Sequence, residues 1–264
     1  MYKNIVQFFL TFFIIFVFIG CSSKSVDEPS QKNKIVEEQT QEDEFLDEFS
    51  DELEIEEVYD PLSGYNRIMT NFNDTLYINV LNPVAKGYKF VVPEGARQSV
   101  KNFFHNIWYP IRVVNNLLQG KLTNSAEETG RFVINSTIGI LGLFDPAKSY
   151  FGLEAHDEDF GQTLGYWGVG SGFHIVLPIL GPSNLRDTFS LYPDSLVDPV
   201  DYYRNRGYNL SGNYIDSLSL KAVEKVNFVS LHEGEYEKLK GDAIDLYPYL
   251  RDVYEQYRDE KIKE

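Results

Sequence analysis

Between Tyr65 and Val80 apolar residues recur at helical spacing, as Tyr65, Ile68, Met69, Phe72, Leu76 and Val80, with Asn66, Arg67, Asn73 and Asp74 between them. This pattern predicts an amphipathic helix that Pro83 stops, because proline lacks the backbone donor and crowds the preceding turn. A second helix follows Pro93. It carries Val100, Phe103, Phe104, Ile107 and Trp108 on one side, Arg97, Lys101 and Asn102 on the other, and ends at Pro110. A third runs from Ile111 through Val114, Leu117 and Leu118 to Gly120, a C-terminal cap. Ser125 and Glu128 read as a capping box that opens a fourth, through Phe132, Val133 and Ile134 toward Gly139. Later helices are expected through Tyr202, Tyr203 and Arg206, from Tyr214 to Leu231, and from Leu246 to Glu260.

One stretch breaks this rhythm. Phe160 to Asp187 is rich in glycine and aromatic residues and contains the apolar run Phe173 to Leu180. Pro178 and Pro182 with six glycines deny it a long helix and serve a sheet interior poorly. It reads as irregular backbone whose polar groups need partners inside the protein or in a lipid-like setting. Alternating strand patterns are scarce elsewhere, so the fold is expected to be mainly α with an irregular Gly/Pro-rich central segment.

Composition divides the 264 residues into parts. Lys3 and the apolar run Ile5 to Ile19, ending at Gly20-Cys21, resemble a bacterial lipoprotein signal over residues 1–20. Phe18 stands where such signals usually carry leucine. Cys21 is the single cysteine, which excludes an internal disulfide and a paired-cysteine metal site. It is the expected lipidation site, with two or more acyl chains giving a stable anchor. Ser22 is not the aspartate that retains many lipoproteins at the inner membrane. Residues 21–58 form a tether with fourteen acidic residues against three lysines, most of the net charge of −16. Such a segment buries too little to order itself, and its charge argues against nucleic acid as partner. Residues 59–264 are the folded domain.

Enzymatic chemistry finds little support. Gly168, Gly170 and Gly172 miss the dinucleotide spacing, since Phe173 stands where the third glycine would fall. His156, Asp157, Glu158 and Asp159 are candidate metal ligands or an acid–base set, but adjacent residues on one loop rarely converge on one ion. Gly170-Ser171-Gly172 lacks the frame of a nucleophile elbow. No expected helix is long and apolar enough to cross a bilayer. Two readings of the amphipathic faces remain: an ordinary soluble core, or apolar faces that meet acyl chains.

A series of blocks resembles the MlaA (VacJ) family of outer-membrane lipoproteins. Asp60-Pro61-Leu62-Ser63-Gly64-Tyr65-Asn66-Arg67 opens it, followed by Leu81-Asn82-Pro83 to Tyr88, Val92-Pro93 and Val114 to Gly120. Arg131-Phe132, Asn135-Ser136-Thr137, Gly142-Leu143-Phe144-Asp145, Phe160 to Gly165 and Leu177 to Asp187 continue in the same order. Asp245, Tyr247, Arg251 and Tyr254 close it. The resemblance implies a ring-like bundle of amphipathic helices in the inner leaflet of the outer membrane, on its periplasmic side, around an amphipathic channel. It implies removal of mislocated phospholipids from the outer leaflet, association with a trimeric porin, and delivery to the periplasmic carrier MlaC. No cofactor and no chemical step are implied; phospholipid is the cargo. The alternative is a lipoprotein that scaffolds porin or envelope without moving lipid.

Arg67, Arg131 and Arg186 are the candidates for a headgroup path, as forked phosphate donors, or else members of structural ion pairs. Asn71 and Phe72 are candidate gate residues.

Overall fold

The computed structural model describes residues 59–201 and 214–264. The signal, Cys21, the acidic tether and the helix expected through Tyr202, Tyr203 and Arg206 lie outside the described residues.

The domain is mainly α. Its helices are α1 (Ser63–Leu76), α2 (Asn82–Val91), α3 (Glu94–Ile107), α4 (Tyr109–Leu118) and α5 (Leu122–Thr137). After these come α6 (Pro146–Phe151), α7 (Phe160–Tyr166), the hairpin β1 (His174–Leu177) and β2 (Gly181–Asn184), α8 (Leu185–Val197), α9 (Tyr214–Leu231), α10 (Glu235–Asp242) and α11 (Leu246–Lys263). Helix α4 packs on α5, α7 on α8 and α11, and α9 on α2 and α3.

Pro83 does not stop the first helix. A π turn, Tyr77–Leu81, joins α1 to α2, with Asn82 N donating to Tyr77 O. The wider turn absorbs the proline ring and continues the chain as helix to Val91. Ser125 and Glu128 are not a capping box either. They sit inside α5 and are buried, because Glu128 is committed to a buried partner, Arg112. The central stretch holds more order than its glycines imply. Asp159 caps α7 by accepting from Gln162 N at 2.8 Å, and β1 pairs antiparallel with β2, with His174 opposite Asn184. Helix α8, which the apolar spacing did not announce, starts directly after the hairpin, with Asn184 as its cap.

The hairpin is pinned to α1 by two asparagines. Asn66 donates to His174 O (3.0 Å) and accepts from Val176 N (2.8 Å). Asn73 donates to Leu177 O (2.9 Å) and accepts from Ile179 N (2.7 Å). The second clamp holds Ile179 at φ 70°, a left-handed conformation that a β-branched residue adopts only when its surroundings impose it.

What fills the interior is polar. Among the described residues, 27 polar or charged residues are buried and only 7 hydrophobic ones, whereas 38 large hydrophobics are exposed. Helix α4 shows it in one turn: Asn115 and Asn116 are 1% and 0% exposed, Leu117 and Leu118 51% and 46%. Arg97, on the polar side of α3, is buried and donates to Ser230 O at 2.5 Å. A water-soluble bundle buries its apolar stripe. This one has its faces reversed, so the exterior is fitted to hydrocarbon. Among the described residues no helix is long and apolar enough to cross a membrane.

Candidate functional site

Helices α3, α4, α9 and α11 and the segment from Asp157 to Gln162 line an open cavity of about 500 Å³. Its wall mixes aromatic surface (Phe104, Trp108, Phe228, Tyr257) with Lys101, His105, Arg112, Asp157, Glu158, Asp159, Glu224 and Arg258.

Most of these charges are held in pairs that tie elements together. Arg112 donates to Glu128 at 2.7 Å and to His105 O at 2.7 Å, and lies 3.6 Å from Asp157. Both members of the Arg112–Glu128 pair are buried, so this contact fixes α4 against α5. His105 meets Asp157 at 3.1 Å, and that hydrogen bond, with the Arg112 charge nearby, holds the exposed Asp157 carboxyl below its usual range. Glu158 accepts from Gln119 and Lys121, each at 2.7 Å.

The second knot joins α7, α8 and α11. Arg258 grips both oxygens of Asp159 at 2.6 and 2.8 Å. Its Nε lies 2.8 Å from Asp187, out of line for a hydrogen bond, so that contact is an ion pair only. Asp187 also accepts from Arg186 (2.9 Å) and Tyr254 (2.8 Å). Burial works against these charges, but each partner overcomes it: the Arg258 pKa rises and that of Asp159 falls. Asp194, nearby on α8, accepts from Asn115 (3.0 Å) and from Phe160 N (3.1 Å). Burial, with Asp159 adding to it, pushes its carboxyl up to about 6.

Two wall residues differ from the rest. Lys101 and Glu224 make no hydrogen bond or ion pair with any described residue. Glu224 is half-buried, and burial pushes its carboxyl up to about 7, against the opposing pull of Lys225 and Lys221. Gln162 donates to Asp157 O and to Asp159, both at 3.3 Å, which leaves its Oε1 buried without a partner.

The residues singled out in the sequence lie elsewhere. Arg67 is exposed on α1, pairs with Asp245 at 2.5 Å and stacks over the Tyr247 ring at 5.4 Å. Arg131 is buried in α5, donating to Asp145 at 2.8 Å and to Leu153 O. Arg186 is buried at the start of α8, bound to Asp187, with one terminal nitrogen unpartnered. None of the three lines the cavity. Asn71 and Phe72 are exposed on α1, away from the wall. His156, Asp157, Glu158 and Asp159 diverge to four different partners: Glu127 for His156 (2.7 Å) and, as above, His105, Lys121 and Arg258 for the others. Among the described residues no group of three or more His, Cys, Asp or Glu is placed to hold a metal ion. Sequence reasoning missed Lys101 and Arg112 as site residues because periodicity alone does not say which side chains of a polar face line a cavity.

Comparison with known proteins follows this geometry. A family model described as MlaA lipoprotein matches residues 58–261. A protein of Rickettsia prowazekii is 39% identical over 210 residues, covering 78% of this chain and 79% of its own length. The Shigella flexneri protein named intermembrane phospholipid transport system lipoprotein MlaA is 37% identical over 191 residues, 68% of this chain and 76% of its own. A solved structure reported as "Structural basis for maintenance of bacterial outer membrane lipid asymmetry" superimposes with a TM-score of 0.66 at 30% identity. That alignment covers 77% of this chain and 98% of the solved one.

Proposed function

The chain belongs to the MlaA lipoprotein family, and from that premise we propose that it clears mislocated phospholipid from the outer leaflet of the outer membrane. It is anchored through acylated Cys21 and sits in the inner leaflet on the periplasmic side. The lipid passes to a periplasmic carrier, MlaC in this family, with a trimeric porin as membrane partner. No bond is made or broken, so the protein is not an enzyme and needs no cofactor.

One observation carries this reading: an apolar exterior wrapped around a polar interior that contains a charged cavity. A phospholipid has the same division, with a charged head and apolar tails. Its tails gain nothing by leaving hydrocarbon, while its head crosses a low-dielectric region only if polar groups replace its water. A cavity of about 500 Å³ falls within the range of small-ligand sites. The headgroup role goes to the cavity wall rather than to Arg67, Arg131 and Arg186, which are engaged in ion pairs with Asp245, Asp145 and Asp187. A porin or envelope scaffold needs an apolar exterior but has no use for a charged cavity.

The experiment is deletion of the gene with complementation by the intact chain and by Cys21→Ala. Phospholipid accessible to an added lipid-modifying enzyme at the cell surface should rise on deletion, fall with the intact chain and stay high with the variant. Unchanged surface phospholipid on deletion contradicts transport and leaves the scaffold.

A further inference from the structure

The cavity wall separates its charges into two kinds. Arg112, Arg258, Asp157, Glu158 and Asp159 each face an opposite charge and are spent on architecture. Among the described residues Lys101 on α3, which is exposed, has no ion pair, and Glu224 on α9 has none either, only the longer-range pull of Lys221 and Lys225; these two helices pack against each other. One is a cation and the other an acid, both open to the same cavity, and they do not reach each other. Opposite charges on adjacent helices gain by pairing when geometry allows; held apart around a void, they match a ligand that carries both signs.

We propose that Lys101 and Glu224 form a headgroup-selecting site, with Lys101 taking the phosphate and Glu224 the primary ammonium of an ethanolamine-type zwitterion. This rests on the transport reading above and assigns its preferred cargo: zwitterionic amine-bearing phospholipids over anionic glycerol-headed ones. The wall around them is aromatic, with Phe104 stacked on Trp108 and Lys225 lying 5.8 Å over the Phe228 ring. A glycerol headgroup brings the same phosphate to Lys101 but no ammonium, and leaves the Glu224 carboxylate without a counter-charge. The zwitterion neutralises both, and Glu224 in its charged form is then stabilised by the ligand it holds.

The test is calorimetric titration of the full acylated chain, in an uncharged detergent, with short-chain phosphatidylethanolamine and phosphatidylglycerol. The intact chain should bind the ethanolamine lipid about tenfold tighter, the scale of one charge-assisted hydrogen bond. Glu224→Gln should remove that preference while keeping phosphatidylglycerol binding, which also shows that the variant is folded. Lys101→Gln should weaken both lipids together. Equal affinity of the intact chain for the two lipids, or a preference that survives Glu224→Gln, overturns the assignment while transport stands. Binding of neither lipid overturns the transport reading and this inference with it.

Discussion

The Arg258 knot, which reaches the cavity wall through Arg258 and Asp159, and the Lys101–Glu224 edge of that wall handle charge in opposite ways. Arg258, Asp159, Asp187, Arg186 and Tyr254 interlock α7, α8 and α11. Lys101 and Glu224 spend nothing on the fold. Lys101 is exposed and Glu224 half-buried, and a half-buried acid that the fold does not pair is a candidate functional group. The contrast therefore sorts the wall into structure and function without reference to any relative.

Breaking the knot should have the largest effect. Asp187→Ala leaves Arg258 and Arg186 short of a partner, and should cost about 3–5 kcal/mol, measured by denaturant unfolding in detergent. A loss near zero would mean that the knot is not structural.

Next in size is the exterior. Leu118→Asp puts a charge on a face that is fitted to hydrocarbon, and should cost about 2.5–3.5 kcal/mol of membrane embedding if that face sits at bilayer depth. Flotation of the variant with lipid vesicles measures it. A soluble bundle would tolerate the change.

Smaller is the pH response of Glu224. Its folded pKa of about 7 lies above the ordinary 4.5, so the folded state holds the proton more tightly than the unfolded one. The stability this contributes is full below 4.5 and is lost as pH rises through about 7. Asp194 adds a similar fall between 3.8 and about 6. Glu224→Gln should flatten the upper part of the profile and leave the lower part in place. The smallest effect is expected at Lys148–Glu154, an exposed 2.9 Å pair. There Lys148→Ala should change stability by no more than about 1 kcal/mol.

Helical periodicity located the elements well. The helix expected from Tyr214 to Leu231 ends at Leu231, α11 starts at Leu246 as expected, and Gly120, at φ 76°, follows α4 where a C-terminal cap was expected. Yet periodicity establishes only that a helix has two faces, not which one points inward. Arg97, Arg112, Asn115 and Asn116 sit on polar faces that a soluble fold would turn to water, and here those faces make the interior. Local rules failed where a long-range partner outbid them. Glu128 went to Arg112 instead of a cap, and a π turn carried the chain past Pro83. The hairpin was hidden because its second strand, Gly181–Asn184, is made of residues poor at forming strands, while Asn66 and Asn73 from α1 pin the first.

Spin labels report the reversal of faces most directly. Cys21 is the single native cysteine, so, once it is acylated, an introduced cysteine is the only free thiol. Labels placed one at a time at Leu118, Val133 and Leu191, all exposed, would be read in the full chain reconstituted in bilayers. Relaxation should respond to oxygen dissolved in lipid and barely to a water-soluble nickel chelate, while a label at Lys101 should respond to the chelate. Strong relaxation by the chelate at all of the outer positions would place these faces in water and contradict the account.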